Sequence, residues 1–119
     1  MREILFRGKE KDTPYGALWR YGDLTHHFNS VLINGNVVDP ETVGQYTGLK
    51  DSQGREIYEG DIIASDYADY RALVAFCNGM FVATWGPDTA YQALYGVLRL
   101  KGLCVIGNIH DNPELLIQN

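Results

Sequence analysis

Residues 38–62 read VDPETVGQYTGLKDSQGREIYEGDI, and this stretch decides the fold class. Short runs of Thr, Tyr, Val and Ile alternate with turn-forming residues, namely Asp39-Pro40 before the first run and Asp51-Ser52-Gln53-Gly54 after it. β-Branched and aromatic residues favour strands, whereas Asp, Pro and Gly favour turns. Gly54 is expected to have a positive φ, because the strands on either side need a tight reversal. The stretch contains no plausible catalytic triad, so it predicts β architecture rather than chemistry.

The same alternation of strand and turn residues continues outward in both directions. It predicts a small, mainly β protein built from antiparallel sheets. The predicted strands are residues 3–7, 17–24, 29–33, 42–47, 56–58, 61–66, 71–77, 80–85 and 103–109. Asn34-Gly35-Asn36 is a further turn, and Asn78-Gly79 is the clearest hairpin signal in the chain.

The predicted Asn78-Gly79 hairpin has two apolar faces. A two-residue loop places Cys77 opposite Met80, which sorts the flanking residues by face. One face carries Val74, Phe76, Phe81, Ala83 and Trp85, and the other carries Leu73, Ala75, Cys77, Met80 and Val82. We expect Phe76, Phe81 and Trp85 to form the main core of the C-terminal half. Because strands covered on both sides read as continuous apolar runs, something must also cover the second face.

The sequence leaves two alternatives for the element that covers this second face. One is a short helix around residues 89–101, in which Tyr91, Leu94, Tyr95 and Leu98 recur at helical spacing before Gly102. Gly96 weakens this helix, since Gly costs about 1 kcal/mol relative to Ala inside one. The other cover is a second copy of the chain. From Gly60 onward, the order of strand, hairpin, helix and closing strand resembles an SH3-like barrel.

Four segments together carry a family resemblance. They are residues 38–62, REILFRG at residues 2–8, YGDL at residues 21–24 and VIGNIHDNPEL at residues 105–115. Over nearly the whole chain the sequence resembles the YopX family of phage and prophage proteins. The resemblance implies a mainly β fold and homo-oligomerisation, and it supplies no biochemical activity. It also implies one YopX-like domain over residues 1–119, with an N-terminal β part to about residue 59 and the SH3-like barrel from about residue 60.

Length and cysteine content place the chain in a class. A chain of 119 residues is one ordinary domain that needs no cross-links to fold. Cys77 and Cys104 lie in apolar runs without a C-x-x-C partner, which predicts two reduced, buried thiols in a cytosolic protein. No stretch is apolar enough for a signal peptide or a membrane span, so we expect a protein of the bacterial host cytoplasm with no membrane partner.

The charge is concentrated in the middle of the chain. The formal net charge is -5. Between residues 39 and 69, eight carboxylates face only Lys50 and Arg55, a local balance of 2 − 8 = −6. These carboxylates are Asp39, Glu41, Asp51, Glu56, Glu59, Asp61, Asp66 and Asp69. Such a surface repels phosphate backbones, so nucleic acid is disfavoured as a partner unless the basic N-terminal residues act alone.

Two groups of residues invite a metal-site interpretation. His26 and His27 follow Asp23, but neighbours in a strand point to opposite faces, so we expect both histidines to be exposed to solvent rather than to bind one ion. His110-Asp111 would have to meet them from a distant part of the chain. We therefore predict neither a metal ligand nor a cofactor-binding residue.

Catalytic residues are not predicted either. Glu59-Gly60-Asp61 could be a carboxylate pair, yet Gly between two acids at the start of a β run is typical of a turn. The chain has no G-x-S-x-G motif and no glycine-rich phosphate loop. Cys77 has no cationic neighbour in the sequence that would activate its thiol, which favours an inert core residue. The sequence therefore predicts that the protein is not an enzyme.

Two functions from different classes remain. The first is a non-enzymatic, homo-oligomeric interaction module of phage or prophage origin, for which an unidentified phage or host protein is a further conceivable partner. The alternative is a small nucleic-acid-associated β-barrel module that uses the basic N-terminus and exposed tyrosines as a stacking surface. Core and interface packing explains most of these aromatic residues as well. They are Tyr15, Trp19, Tyr21, Tyr46, Tyr58, Tyr67 and Tyr70.

Overall fold

The structure, a computed structural model, describes residues 4–11, 17–65, 70–85 and 91–117. In these ranges the chain forms twelve strands in three antiparallel sheets and one short α-helix, which confirms the predicted mainly β fold. The chain divides into two compact units, Met1–Gly48 and Leu49–Asn119. The single domain with an N-terminal part extending to about residue 59 stays a prediction.

The first unit contains two small sheets. Strand β1 (Phe6–Lys9) lies between β2 (Trp19–Gly22) and β6 (Gly44–Lys50), which runs on into the second unit. Strands β3 (Leu24–His27), β4 (Ser30–Ile33) and β5 (Asn36–Val38) form a meander. A 3-10 turn, Pro40–Thr42, follows β5 and begins where the Asp39 carboxylate accepts the Glu41 N–H at 3.1 Å. The Asp39-Pro40 pair is therefore the turn that its sequence predicts.

The side chain of Asn34 holds the connection between β2 and β3. Its Oδ1 accepts the Asp23 N–H at 3.0 Å, and its Nδ2 donates to the Tyr21 carbonyl at 3.0 Å. Asn34 itself has φ +49°, as the Asn34-Gly35 turn requires. Gly22 has φ +139° between the two strands, which explains why the predicted strand 17–24 is broken into two.

The second unit is a five-stranded open sheet. Its order is β11 (Tyr91–Ala93), β10 (Met80–Thr84), β9 (Tyr70–Cys77), β8 (Asp61–Ser65) and β12 (Cys104–Asn108). Strand β7 (Glu56–Tyr58) follows the turn after β6, helix α1 (Leu94–Val97) follows β11, and a 3-10 turn, Pro113–Leu116, follows β12. Within the described residues, β11 and β12 lie at opposite edges, so the predicted SH3-like barrel is not closed. Barrel closure needs strands long enough to tilt and stagger, and β11 has three residues.

Both turns that the sequence singled out have the expected backbone. Asn78 and Gly79 have φ +51° and +81°, and the register pairs Cys77 with Met80 and Phe81 with Phe76. Gly54 has φ +81° in the turn between β6 and β7. All nine predicted strands overlap an observed strand, whereas β5 and β11 were missed and β3 was reached only at Leu24.

The helix is much shorter than its spacing predicts. The predicted range 89–101 contains β11 first and then only Leu94–Val97 as α-helix, while residues 89 and 90 lie outside the described residues. Leu94 and Val97 are buried, but Tyr91 and Tyr95 are exposed. Gly96 inside the single helical turn is consistent with this short length.

The core of the second unit lies on the first face of the hairpin. Val74 and Ala83 pack there into one cluster whose other buried members are Ile57, Ile63, Ala72, Leu94, Val97 and Leu103. The expectation that Phe76, Phe81 and Trp85 form the main core is wrong, because Phe81 is only partly buried against this cluster, and Phe76 and Trp85 are 52% and 38% exposed. Both lie at the ends of the hairpin, and a one-turn helix is too short to cover those ends.

The second face of the hairpin is partly covered by the chain itself. Val82 is 1% exposed, and Ile62, which pairs with Leu73 on the same face, is fully buried. The 3-10 turn Pro113–Leu116 packs against β9, and Arg71 donates to the Leu115 carbonyl at 3.0 Å. The helix, in contrast, packs on the first face, so the helical cover predicted for the second face is wrong. The alternative cover, a second copy, stays a prediction.

Replacement of Phe81 by Ala is expected to destabilise the protein more than replacement of Phe76. The two rings contact each other at 5.1 Å between centroids, so either substitution removes that pair. Only Phe81 also packs against the buried cluster. Full burial makes Phe→Ala cost about 3–5 kcal/mol, so we expect about 2–3 for Phe81→Ala and about 1 for Phe76→Ala. Denaturant midpoints measure both, and equal midpoints would contradict the assignment of Phe81 to the core.

Candidate interaction surface

The histidines that invited a metal-site interpretation lie on the surface. His26 pairs with Val31 and His27 with Ser30, so the two point to opposite faces of β3, as predicted, and both are exposed. The His27 ring contacts Phe28 edge-on at 4.5 Å between centroids. His110 is exposed in the turn after β12. Among the described residues, no group of three or more His, Cys, Asp and Glu side chains could hold a metal ion.

The Glu59-Gly60-Asp61 sequence is a turn, which confirms its structural interpretation. Gly60 has φ +95°, and its N–H donates to the Val74 carbonyl at 2.8 Å. The buried Asp61 carboxylate accepts the Tyr58 N–H at 2.7 Å. Asp61 is therefore placed to stabilise the backbone between β7 and β8.

Cys77 and Cys104 are free thiols, but the expected full burial is wrong. Both are only half-buried. Cys77 ends β9 at the hairpin turn, and Cys104 begins an edge strand, so neither is covered on all sides.

The tyrosines divide between core and surface. Tyr46 and Tyr58 are buried, whereas Tyr21, Tyr91 and Tyr95 are exposed. Tyr70 contacts Trp85 edge-on at 5.7 Å, and burial raises the pKa of its hydroxyl above the usual value. Trp19 lies under the Arg7 guanidinium at 4.8 Å. Tyr15 and Tyr67 lie outside the described residues.

One edge of the five-stranded sheet is closed by its own chain. On β12, the Val105 N–H donates to the Asp51 carboxylate at 3.0 Å, and the Asn108 N–H donates to the Asn112 side chain at 3.3 Å. The Leu103 and Asn108 carbonyls accept the Ser52 and Asn112 N–H groups at 2.9 and 2.8 Å. A register shift at Ile106 further interrupts this edge. Side-chain caps and bulges of this kind prevent pairing with another strand.

The opposite edge, β11, has no comparable closure within the described residues. Tyr91, Gln92 and Ala93 are all exposed, and none of them carries a charge. Among the side chains that the structure describes, Asn78 reaches this edge, with its amide 3.5 Å from the Tyr91 hydroxyl, at the limit of hydrogen bonding. We call Tyr91–Ala93 the open edge.

Exposed apolar side chains lie around the open edge and the adjacent hairpin turn. Phe76 and Met80 flank the turn. The Tyr91 hydroxyl contacts the side chain of Asn78 in the turn, and Tyr95 lies two residues after the open edge. Phe76 and Met80 lie on opposite faces of the hairpin, so the four side chains surround this end of the sheet from both faces. Exposed apolar patches mark interaction sites on soluble proteins. We call Phe76, Met80, Tyr91 and Tyr95 the apolar end. Together, the open edge and the apolar end form the candidate interaction surface.

Sequence analysis missed two exposed features, the open edge and the residue Phe28. The open edge was assigned to a helix, although Gly96 only five residues after Tyr91 is a signal against one. Phe28 lies in a two-residue turn between β3 and β4 with φ +54° and 92% exposure. A Phe at positive φ is rare, whereas the two-residue turns at Asn34-Gly35 and Asn78-Gly79 have Asn there.

Three comparisons relate the chain to known proteins. The family model described as YopX protein matches residues 9–117. The chain is similar to protein EF1440 from Enterococcus faecalis, for which there is a crystal structure. The match is 32% identical, covers 98% of this chain and 76% of that chain, and has a TM-score of 0.48. No curated protein matches the sequence. In the described part of the chain, no helix has the length and apolar character to cross a membrane.

Proposed function

The chain belongs to the YopX family, and from that premise we propose that it is a non-enzymatic interaction module that associates with copies of itself. In this proposal it is an accessory protein of phage or prophage origin that acts in the cytoplasm of the bacterial host cell. Its primary partner is a second copy of the chain, and a phage or host protein is the second partner proposed for the same surface.

The observation that carries this proposal is the uncharged candidate interaction surface on an otherwise acidic chain. Residues 49–119 contain five Lys and Arg against nine Asp and Glu, a balance of 5 − 9 = −4. The open edge and the apolar end contain none of these charged residues. Charged groups are depleted at the centres of protein interfaces, where Tyr, Phe and Met are enriched.

The positions of the carboxylates support a non-enzymatic role. Among the described residues, Asp51 and Asp61 are the buried carboxylates, and both accept backbone N–H groups. A general acid or base must instead reach a substrate proton from a site open to that substrate. The hydrogen bonds of Asp51 and Asp61 therefore assign these two side chains to the fold.

The alternative, a nucleic-acid-associated module, has less support. Arg7 is buried over the Trp19 ring, and Arg20 forms an ion pair with Glu10 at 3.0 Å. Two of the basic residues of the N-terminal part are thus engaged within the protein. Phosphate binding depends on Lys and Arg that are exposed and not neutralised by nearby carboxylates.

Multi-angle light scattering tests the proposal. The chain mass is 13.4 kDa, and we expect a whole-number multiple of it at micromolar concentrations. Because the surface is uncharged, the mass should persist when salt is raised, unlike an association held by ion pairs. A monomer mass at every concentration would overturn the proposal. Salt-sensitive retention on DNA or RNA, with a monomer mass, would favour the alternative instead.

A further inference from the structure

We propose that two copies of the chain join through their open edges, with β11 pairing antiparallel to β11 of the second copy. The two five-stranded sheets would then continue into one another across a two-fold axis. This inference rests on the proposed self-association and specifies its interface. Its partner is a second copy of this chain.

The directions of the backbone groups on β11 follow from the hairpin. In a two-residue hairpin the residues that flank the loop, Cys77 and Met80, form a hydrogen-bonded pair. Hydrogen-bonded and non-bonded pairs alternate along the ladder, so Phe81 and Ala83 direct their backbone groups away from β9 and toward β11. Ala83 pairs with Gln92.

The N–H and C=O of Gln92 therefore point inward to β10. By the same alternation, the backbone groups of Tyr91 and Ala93 point outward from the sheet. The open edge thus offers two N–H donors and two C=O acceptors to another strand. Edge groups without a partner among the described residues, as here, are a template for strand addition.

A second copy fits this edge because the edge complements itself. With the two-fold axis at Gln92, Tyr91 of each copy lies opposite Ala93 of the other, and the outward groups pair in both directions. The three residues carry no charge, so two copies of a chain of net charge -5 can approach here without like-charge contact. Tyr91 in the edge and Tyr95, two residues after it, are exposed and would add apolar area to the contact.

The closed β12 edge sets the size of the assembly. The outward N–H groups of Val105 and Asn108 and the Asn108 carbonyl are taken by Asp51 and Asn112. Strand addition to the five-stranded sheet is therefore favoured at β11 over β12. An assembly that uses one isologous edge closes as a dimer, whereas two free edges would permit an open fibre. We therefore expect edge pairing to stop at two copies.

Ala93→Pro is the first test, because this substitution removes an outward N–H while sparing the fold. Ala93 has φ -56° and ψ 131°, which a proline ring accepts, and Gln92 before it is extended. We expect an unchanged denaturant midpoint and a dissociation constant raised at least about tenfold, because two symmetry-related donors are lost. Ala93→Ser keeps the N–H and is the matched control, which should associate like the parent.

Gln92→Cys is the second test and reports on the register. Gln92 of the two copies would form a non-hydrogen-bonded pair with about 4.5 Å between Cα atoms, within the range of a disulfide. Oxidation should therefore cross-link this variant through position 92 much faster than Gln53→Cys, which changes an exposed Gln in the turn before β7. Peptide mapping distinguishes this bond from bonds to Cys77 or Cys104.

The outcomes separate this inference from the proposed function. A parent protein that is monomeric at every concentration overturns self-association and the edge pairing together. A parent oligomer that persists in folded Ala93→Pro, with no preferential cross-link at position 92, overturns the edge pairing alone. If Ala93→Pro does not fold, the cross-linking comparison decides by itself: a fast bond at position 92 supports the inference, and parity with Gln53→Cys refutes it.

Discussion

Replacement of Asp51 by Ala is expected to lower the free energy of unfolding by about 2–4 kcal/mol. This is a large share of the roughly 5–15 kcal/mol that stabilises an ordinary domain. The effect is large because one carboxylate, on a side chain that is 0% exposed, accepts hydrogen bonds from three backbone N–H groups. Loss of a group that satisfies several partly buried donors costs more than any one of its hydrogen bonds.

The geometry of Asp51 explains its importance. Its Oδ1 accepts the Gln53 and Arg55 N–H groups at 2.9 and 2.8 Å, which shapes the turn that contains Gly54. Its Oδ2 accepts the Val105 N–H at 3.0 Å on the edge strand β12. One side chain therefore holds a local turn and a strand 54 residues further along the chain. Without it, the Val105 donor is left unsatisfied and the β12 edge is opened.

The same contacts predict a dependence on pH. Burial would raise the pKa of the Asp51 carboxyl, but the N–H donors of Val105, Arg55 and Gln53 and the Arg55 charge lower it more, so the net pKa is below its ordinary value. A carboxyl whose folded pKa is lowered contributes stability that is complete above the unfolded pKa of about 3.9. That contribution is lost as pH falls through the folded pKa.

The stability difference between the parent and Asp51→Asn should accordingly be larger at about pH 7 than at about pH 3. Asn retains one acceptor oxygen for the turn but presents an amide to the Val105 donor. Asp23→Ala is the control, since Asp23 is exposed and the structure gives its carboxylate no hydrogen bond within the described residues. Urea titrations at both pH values measure the difference. Midpoints of Asp51→Ala equal to those of Asp23→Ala would refute this role.

Local features of the fold were predictable because short-range physics determines them. Asn78-Gly79 and Gly54 adopt positive φ because neighbouring strands must reverse within two to four residues, and few residue types accept that backbone. Strand β7 has the predicted bounds because turns flank it on both sides. These features depend on residues adjacent in the chain.

Features that depend on distant residues were not predictable. Phe76 was placed in the core because its face is apolar, yet burial depends on what lies above it, and a one-turn helix covers Val74 without reaching Phe76. The closed edge at Val105 depends on Asp51, which has no sequence pattern linking it to β12. The open edge became visible only when β11 was found to be a strand. The position of the candidate interaction surface therefore depends on the order of the strands in the sheet. Only the presence of its apolar side chains could be predicted from the sequence.

Replacement of Gly8 by Val is expected to destabilise the first unit by about 3 kcal/mol or more, and Gly8→Ala by about 1–3 kcal/mol. A Cβ at Gly8 would lie 2.7 Å from Val38 Cγ2 and 3.3 Å from Ile33 Cγ1. Val38 and Ile33 are almost completely buried, so neither side chain has free space into which it can move.

The backbone around Gly8 cannot relieve this overlap by shifting. The adjacent Lys9 N–H donates to the Thr42 hydroxyl at 2.8 Å, and the Lys9 carbonyl accepts the Asp39 N–H at 2.8 Å. Displacement of β1 from Val38 would break these bonds, so the added methyl group costs either packing or hydrogen bonds.

Gly96→Ala is the matched control for Gly8→Ala. Gly96 lies in α1, where an added Cβ meets no atom within 4 Å, and Ala is favoured over Gly in a helix by about 1 kcal/mol. The same Gly→Ala change should therefore lower the midpoint at position 8 and leave it unchanged or raise it at position 96. Thermal and urea unfolding measure both variants. If Gly8→Ala is as stable as the parent, β1 does not pack as closely on Val38 and Ile33 as the structure shows.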